Sequence, residues 1–225
     1  MGAVSRRLNF DRLARPYRWL EYLTFGPALE RCRFHFLPDL TRARHALVLG
    51  DGDGRFLRRL LEANPQLHAD VADISPAMLA LLNERLDSGM RRRVTLHQAD
   101  LRNWAPPGRD YDLVVTHFFL DCLFEEELAG LIESIQPKLV SGALWVVSEF
   151  ARPQEGARAL VSGAVISILY GIFGVLTGLA VRSLPDHPAA FRHAGFQCTS
   201  ERQRLGGLLV SQLWILSTSP AHATL

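Results

Sequence analysis

The stretch Ala46-Leu-Val-Leu-Gly-Asp-Gly-Asp-Gly-Arg-Phe56 carries the strongest structural signal in this chain. An apolar run, then glycine at every second position, then a return to apolar residues predicts a strand, a tight turn and a helix. Glycine tolerates positive φ and lets a ligand lie against bare backbone. Gly50, Gly52 and Gly54 therefore mark a loop suited to a compact, adenosine-containing ligand. The dinucleotide fingerprint Gly-x-Gly-x-x-Gly would need its third glycine at position 55, which is Arg55, so the spacing disfavours NAD.

Three further landmarks follow in order. His68-Ala-Asp-Val-Ala-Asp73 is a short strand closing on an acid, and Ile74-Ser-Pro-Ala-Met78 turns into a helix that Ser75 and Pro76 start. Val94-Thr-Leu-His-Gln-Ala-Asp100 is a second apolar strand closing on an acid. With the glycine loop, this series resembles the class I S-adenosylmethionine-dependent methyltransferases. The resemblance implies S-adenosylmethionine as cofactor, with Gly50, Asp51, Gly52, Asp53 and Gly54 forming the loop around it and Asp73 holding both ribose hydroxyls. It further implies that Ile74 and Met78 flank the adenine and that Asp100 and Leu101 meet its amino edge. Many members carry an acid two residues before the first glycine, for the methionine end of the cofactor. Val48 stands there instead, and Asp51 and Asp53 are the available substitutes.

The pattern beyond the loop alternates strand and helix: helical from Arg55 to Asn64, strand to Asp73, helical from Pro76 to Leu86, strand from Val94 to Ala99. Tyr111–Thr116 is a fourth strand, Glu125–Leu139 a helix and Gly142–Ser148 a fifth strand. Such alternation predicts a parallel α/β sheet covered on both faces. Gly195–Arg204 and Leu208–Leu216 read as two strands joined through Leu205-Gly-Gly207, a hairpin. The methyltransferase resemblance implies a Rossmann-like, seven-stranded, mostly parallel sheet with an antiparallel last strand, spanning residues 44–217. Residues 1–43 are expected as an N-terminal helical cap and 218–225 as a tail. Within the cap, Phe10-Asp-Arg-Leu-Ala-Arg-Pro-Tyr17 resembles a pattern in the ubiquinone and menaquinone biosynthesis branch, which implies that Tyr17 closes over the cofactor.

No charged residue lies between Arg158 and Arg182, and that length would suffice for a membrane span. A single crossing would separate the last two strands from their sheet, and Gly163, Gly171, Gly174 and Gly178 interrupt the segment. It is read instead as an apolar lid inserted at about 153–185 over the acceptor. Transient contact with a membrane surface through 159–181 fits such a lid, and a homodimer interface is the alternative use of the same segment.

A formal charge of +2, with Arg91-Arg-Arg93 the one basic run, leaves no nucleic-acid footprint; that run reads as a solvated helix end. Cys32, Cys122 and Cys198 are far apart, which suggests neither zinc site nor disulfide framework and fits the cytoplasm. No His, Cys or carboxylate pair has metal-ligand spacing, so a metal-independent reaction is expected.

Ligands in open α/β sheets bind outside the carboxyl ends of the strands, which turns attention to Thr116-His-Phe-Phe-Leu-Asp-Cys122. His117 is placed to line the donor–acceptor junction or accept a proton. Asp121 is a second proton acceptor, or a cap for the helix near Glu125, and Glu149 lies on the same rim. His187 and His193 read as surface or capping residues. The sequence thus points to methyl transfer onto a small, hydrophobic acceptor. A non-catalytic cofactor-binding or membrane-associating module that regulates a partner is the alternative.

Overall fold

The computed structural model describes residues 27–151 and 185–217. Helix α1 (Ala28–Arg33) and a 3-10 turn at Leu37–Leu40 lead into β1 (His45–Leu49), followed by α2 (Arg55–Ala63), β2 (His68–Asp73) and α3 (Pro76–Arg85). A short α4 (Ser88–Arg91) precedes β3 (Val94–Gln98), β4 (Tyr111–His117), α5 (Glu125–Ile135) and β5 (Leu139–Phe150). The described chain closes with α6 (His187–His193), β6 (Phe196–Arg204) and β7 (Leu209–Leu216). Tyr17 and the segment 159–181 lie outside the described residues.

The seven strands form one sheet in the order β3-β2-β1-β4-β5-β7-β6. The pairs from β3 to β5 are parallel, whereas β7 runs antiparallel to both β5 and β6. This is the Rossmann-like, mostly parallel sheet expected above, with its reversed last strand inserted next to β5. Residues Leu205–Gly207 make the turn of the β6–β7 hairpin.

The surroundings of β1 explain its unbroken apolar run. Ala46 and Val48 face one core, with Phe56, Leu57 and Leu60 of α2 and Leu82 of α3. Leu47 and Leu49 face the other, with Leu128, Leu131 and Ile132 of α5. All four strand residues are fully buried, so a polar residue on either face of β1 would lose its water without gaining a partner. The second core is anchored by aromatic rings. Trp145 meets Phe191 edge-on at 4.7 Å, and its indole N–H donates to Thr116 Oγ1 at 3.0 Å.

Several local expectations shift. The helix from Glu125 ends at Ile135, a 3-10 turn containing Pro137 follows, and β5 starts at Leu139 rather than at Gly142. Gly142 has φ 75°, and the pairing with β4 slips between Tyr111 and Leu113, so the extra residues of β5 are accommodated as an irregularity. His187 is not a surface residue: it is buried, and its Nε2 lies 3.0 Å from Gln212 Oε1 of β7. Its neighbour Asp186 caps α6 through the Ala189 amide, and His193 is exposed at the helix end.

Arg93 is the other correction. Rather than being solvated at the end of its own helix, its guanidinium donates to the carbonyls of Leu61, Asn64 and Leu67 at 3.1–3.2 Å. Carbonyls at a helix end lack intrahelical partners, and here a cation from the strand entry supplies them for α2. Arg93→Ala is expected to lower stability by about 1–2 kcal/mol in urea denaturation; a change within about 0.5 kcal/mol would contradict this role.

Candidate functional site

The loop from Gly50 to Gly54 leaves the carboxyl end of β1 and enters α2, with φ of 65°, 61° and 75° at its three glycines. The glycines serve different ends. A Cβ on Gly50 would lie 2.8 Å from the Phe119 ring, and one on Gly54 would lie 2.5 Å from Leu82 Cγ. Those two positions let the loop approach its own protein. Among the described residues, a Cβ on Gly52 would meet nothing closer than Met78 Sδ, at 4.0 Å. Gly52 therefore has room, among the described residues, for a ligand against its backbone, at the end of the strand where α/β folds receive ligands.

The two aspartates of the loop diverge. Asp53 is turned into a staple: its carboxylate pairs with Arg55 at 3.0 Å and with Arg85 of α3 at 2.7 Å, and Arg85 also donates to its carbonyl. Asp51 is buried, and its Oδ2 accepts the Leu57 amide at 3.0 Å, capping the first turn of α2. Its Oδ1 has no hydrogen-bond partner among the described residues. Burial pushes the Asp51 carboxyl up to about 7, against the opposing pull of the Arg33 charge and the Leu57 amide.

Asp73 sits half-buried at the tip of β2, with its Oδ1 accepting the Ser75 amide at 2.8 Å and its carbonyl accepting the Ala99 amide. Ser75 caps α3 through Met78, as the pair Ser75-Pro76 implies. Met78 is buried, as is Ser75, and Ile74 is half-buried beside this turn. At the end of β3, the Asp100 carboxylate is forked by the Arg102 guanidinium, which holds it below the usual carboxylate range. Leu101 is buried in the core that includes Leu49 and Ala72.

At the end of β4, His117 packs edge-on against Phe56 at 4.3 Å. It is buried, and neither ring nitrogen has a partner among the described residues. Burial first and the Arg33 charge second hold its pKa well below the ordinary imidazole range, so the ring is neutral near neutral pH. Phe118 follows with φ 54°, a left-handed conformation for a bulky residue, and Arg33 lies over its ring at 5.5 Å. Asp121 lies in a 3-10 turn, Leu120–Cys122, and does not cap α5; there the Phe124 amide donates to Glu127 instead. Asp121 adjoins Glu149, whose carboxyl is pushed well above the usual carboxylate range by burial and by the Asp121 charge.

The strand tips thus bring Asp51, Asp73, His117 and Asp121 to one rim of the sheet. Arg33 has no signal in the sequence, because its place depends on α1 docking against β7. Cys32 fixes that docking: its Sγ lies 3.0 Å from Ser211 Oγ, which itself donates to the Cys32 carbonyl at 2.7 Å. Among the described residues, no group of three or more His, Cys, Asp or Glu side chains is arranged to hold a metal ion. Among them also, no helix is long and apolar enough to cross a membrane.

Sheet order, reversed last strand and a glycine turn at the first crossover define an α/β protein of the open-sheet kind, in which ligands bind at the carboxyl ends of the strands. Known proteins share this arrangement. Residues 47–144 match the methyltransferase domain family. A malonyl-[acyl-carrier protein] O-methyltransferase of Paenibacillus sp. (strain JDR-2) is 26% identical over 163 residues, covering 70% of this chain and 58% of that protein. Polyamine aminopropyltransferase 2 of Ralstonia nicotianae is 34% identical over 112 residues, 45% of this chain and 20% of that protein. Among solved structures, the S-adenosylmethionine-dependent methyltransferase SibL superposes with a TM-score of 0.69 at 19% identity, covering 96% of this chain and 64% of that one. Human N-acetylserotonin methyltransferase in complex with S-adenosylmethionine gives 0.64 at 15% identity, with 92% and 56% covered. The chain thus spans less than two thirds of these relatives' own lengths. Over residues 47–144 the chain is thus similar to methyltransferase domains, and its fold is that of S-adenosylmethionine-dependent methyltransferases of known structure.

The raised Asp51 carboxyl has a stability consequence. The folded state holds this proton more tightly than the unfolded chain, so stability falls as pH rises from about 4 through about 7, by up to a few kcal/mol. Asp51→Asn is expected to be more stable than the parent at about pH 8 and to show no such advantage at about pH 4, read from urea midpoints. Parallel pH profiles for the two proteins would contradict the assignment.

Proposed function

We propose that the chain transfers a methyl group from S-adenosylmethionine to a small, hydrophobic acceptor. One observation carries this reading: among the described residues, the space beside Gly52, bounded by Met78, lies at a glycine turn whose neighbouring strand ends in Asp73. Bound there, S-adenosylmethionine supplies an electrophilic methyl on a sulfonium centre. In this assignment Asp73 accepts hydrogen bonds from the ribose hydroxyls, and Gly52 admits the ligand against its backbone. Ile74, Met78 and Leu101 flank the adenine, and Asp100, held by Arg102, faces its amino edge.

Val48 is fully buried among apolar residues, so the methionine end needs other partners. Asp51, with one oxygen lacking a partner among the described residues, is assigned to the ammonium, and the nearby Arg33 to the carboxylate. Asp53 supports the loop through Arg55 and Arg85. His117 lines the donor–acceptor junction as a neutral ring, because burial and the Arg33 charge both oppose its protonation. Proton removal, where the acceptor requires it, falls to Asp121.

The acceptor class rests on the uncharged segment 159–181, assigned on sequence grounds to covering the site, with membrane-surface contact or self-association as further uses. The name of the malonyl-carrier relative specifies O-methylation, and oxygen is the atom we favour here. A cytoplasmic setting accords with the described cysteines, all of them free thiols.

Calorimetric titration with S-adenosylmethionine and S-adenosylhomocysteine, followed by a methyl-release assay on quinols, phenols and acyl carriers, tests the proposal. Asp73→Ala should weaken cofactor binding by about 1–3 kcal/mol, since charge-assisted bonds to two hydroxyls are lost. Gly52→Val should abolish it by filling the open space. Parent-like affinity in both variants would move the donor site elsewhere. Chelation of divalent ions should leave turnover unchanged, and its complete loss would overturn the metal-independent mechanism.

A further inference from the structure

We infer that Glu149 is a positioning residue for the donor site, acting through Phe119 on the glycine loop; this rests on the donor-site assignment above. Glu149 is the penultimate residue of β5, fully buried, and its Oε1 accepts two consecutive amides, from Phe119 at 3.0 Å and from Leu120 at 2.8 Å. Those amides directly follow Phe118, whose φ of 54° is a conformation an aromatic residue seldom adopts unless its surroundings enforce it. The Phe118 amide is itself tied to the Ser148 carbonyl at 2.7 Å. The tip of β5 thus clamps the chain as it leaves β4, with Ser148 on one side of the bend and Glu149 on the other.

The clamp has a target. The bend delivers the Phe119 ring against Gly50, so closely that a Cβ there would stand 2.8 Å from Cδ2 and 3.0 Å from Cγ. Gly50 is the first residue of the loop, and its own amide still bonds the Ala72 carbonyl of β2 at 3.0 Å. Phe119 is therefore a wedge between two fixed points. If the ring withdraws, the loop loses the surface that sets its height above the sheet, and Gly52 moves with it. One buried carboxyl on β5 in this way governs the shape of a loop on β1, with β4 between them.

The groups facing Glu149 suit a structural carboxyl. Asp121 lies beside it on the same bend, Cys122 is next along, and Cys32 approaches from α1. No cation faces it among these groups, and its Oε2 has no partner among the described residues. A neutral amide of the same shape should therefore replace it, because Oε1 accepts the same two amides in either form.

The test is a cycle of Glu149→Gln, Glu149→Ala, Phe119→Ala and the Glu149→Ala/Phe119→Ala pair in the full chain. Affinity for S-adenosylhomocysteine is measured by calorimetry, and donor and acceptor KM by methyl release. Glu149→Gln should bind within about threefold of the parent, while Glu149→Ala and Phe119→Ala should each bind at least about tenfold more weakly. The pair should bind no worse than the poorer single variant, because both changes release the same wedge. Donor KM should rise in each weakened variant with acceptor KM unchanged. Multiplying losses in the pair, equal rises in both KM values, or parent-like binding by Phe119→Ala would overturn the inference. Phe119→Ala decides the matter alone if Glu149→Ala does not fold. Failure of the parent itself to bind donor or product would refute the donor-site assignment instead.

Discussion

The chain leaving β1 must turn between Gly50 and Gly54 with other parts of the protein pressed against both ends of the turn. Phe119 presses at Gly50 and Leu82 at Gly54, whereas among the described residues a Cβ on the middle glycine would meet nothing closer than Met78 Sδ, at 4.0 Å. Two of the three glycines are therefore required by packing, and the middle one is not, among the described residues. Any side chain at the outer two would have to displace Phe119 or Leu82.

Electrostatics at the strand tips follow from burial. Asp51, His117 and Glu149 are all withdrawn from water, and burial is the largest cause of the shift in each. Desolvation favours the neutral form of each, raising the two carboxyls and lowering the imidazole. With His117 and Glu149 held neutral and Arg33 nearby, the rim carries less charge than a bare count of its titratable groups would suggest.

Much of the fold was legible because its strands are buried on both faces and so are apolar without interruption, as in Leu47–Leu49 of β1 and Leu113–Val115 of β4. Ser75 and the pair Gly206-Gly207 marked a helix start and a hairpin through purely local chemistry. Contacts made across the sheet leave no such local trace. His187 reads as part of a capped surface helix until Gln212 is brought over it, and Arg93 reads as solvated until the end of α2 is seen beside it. The site divides in the same way. Gly52 and Asp73 announce themselves by position after a strand, whereas Arg33, Phe119 and the double amide contact of Glu149 depend on which elements become neighbours.

A crystal structure of the full chain grown with S-adenosylhomocysteine would show directly whether a nucleoside lies against the backbone at Gly52 with its sugar at Asp73. Density for the ligand is expected beside Gly52, with both ribose hydroxyls within hydrogen-bonding distance of the Asp73 carboxylate. Density elsewhere in the protein, or a ribose turned away from Asp73, would refute that placement.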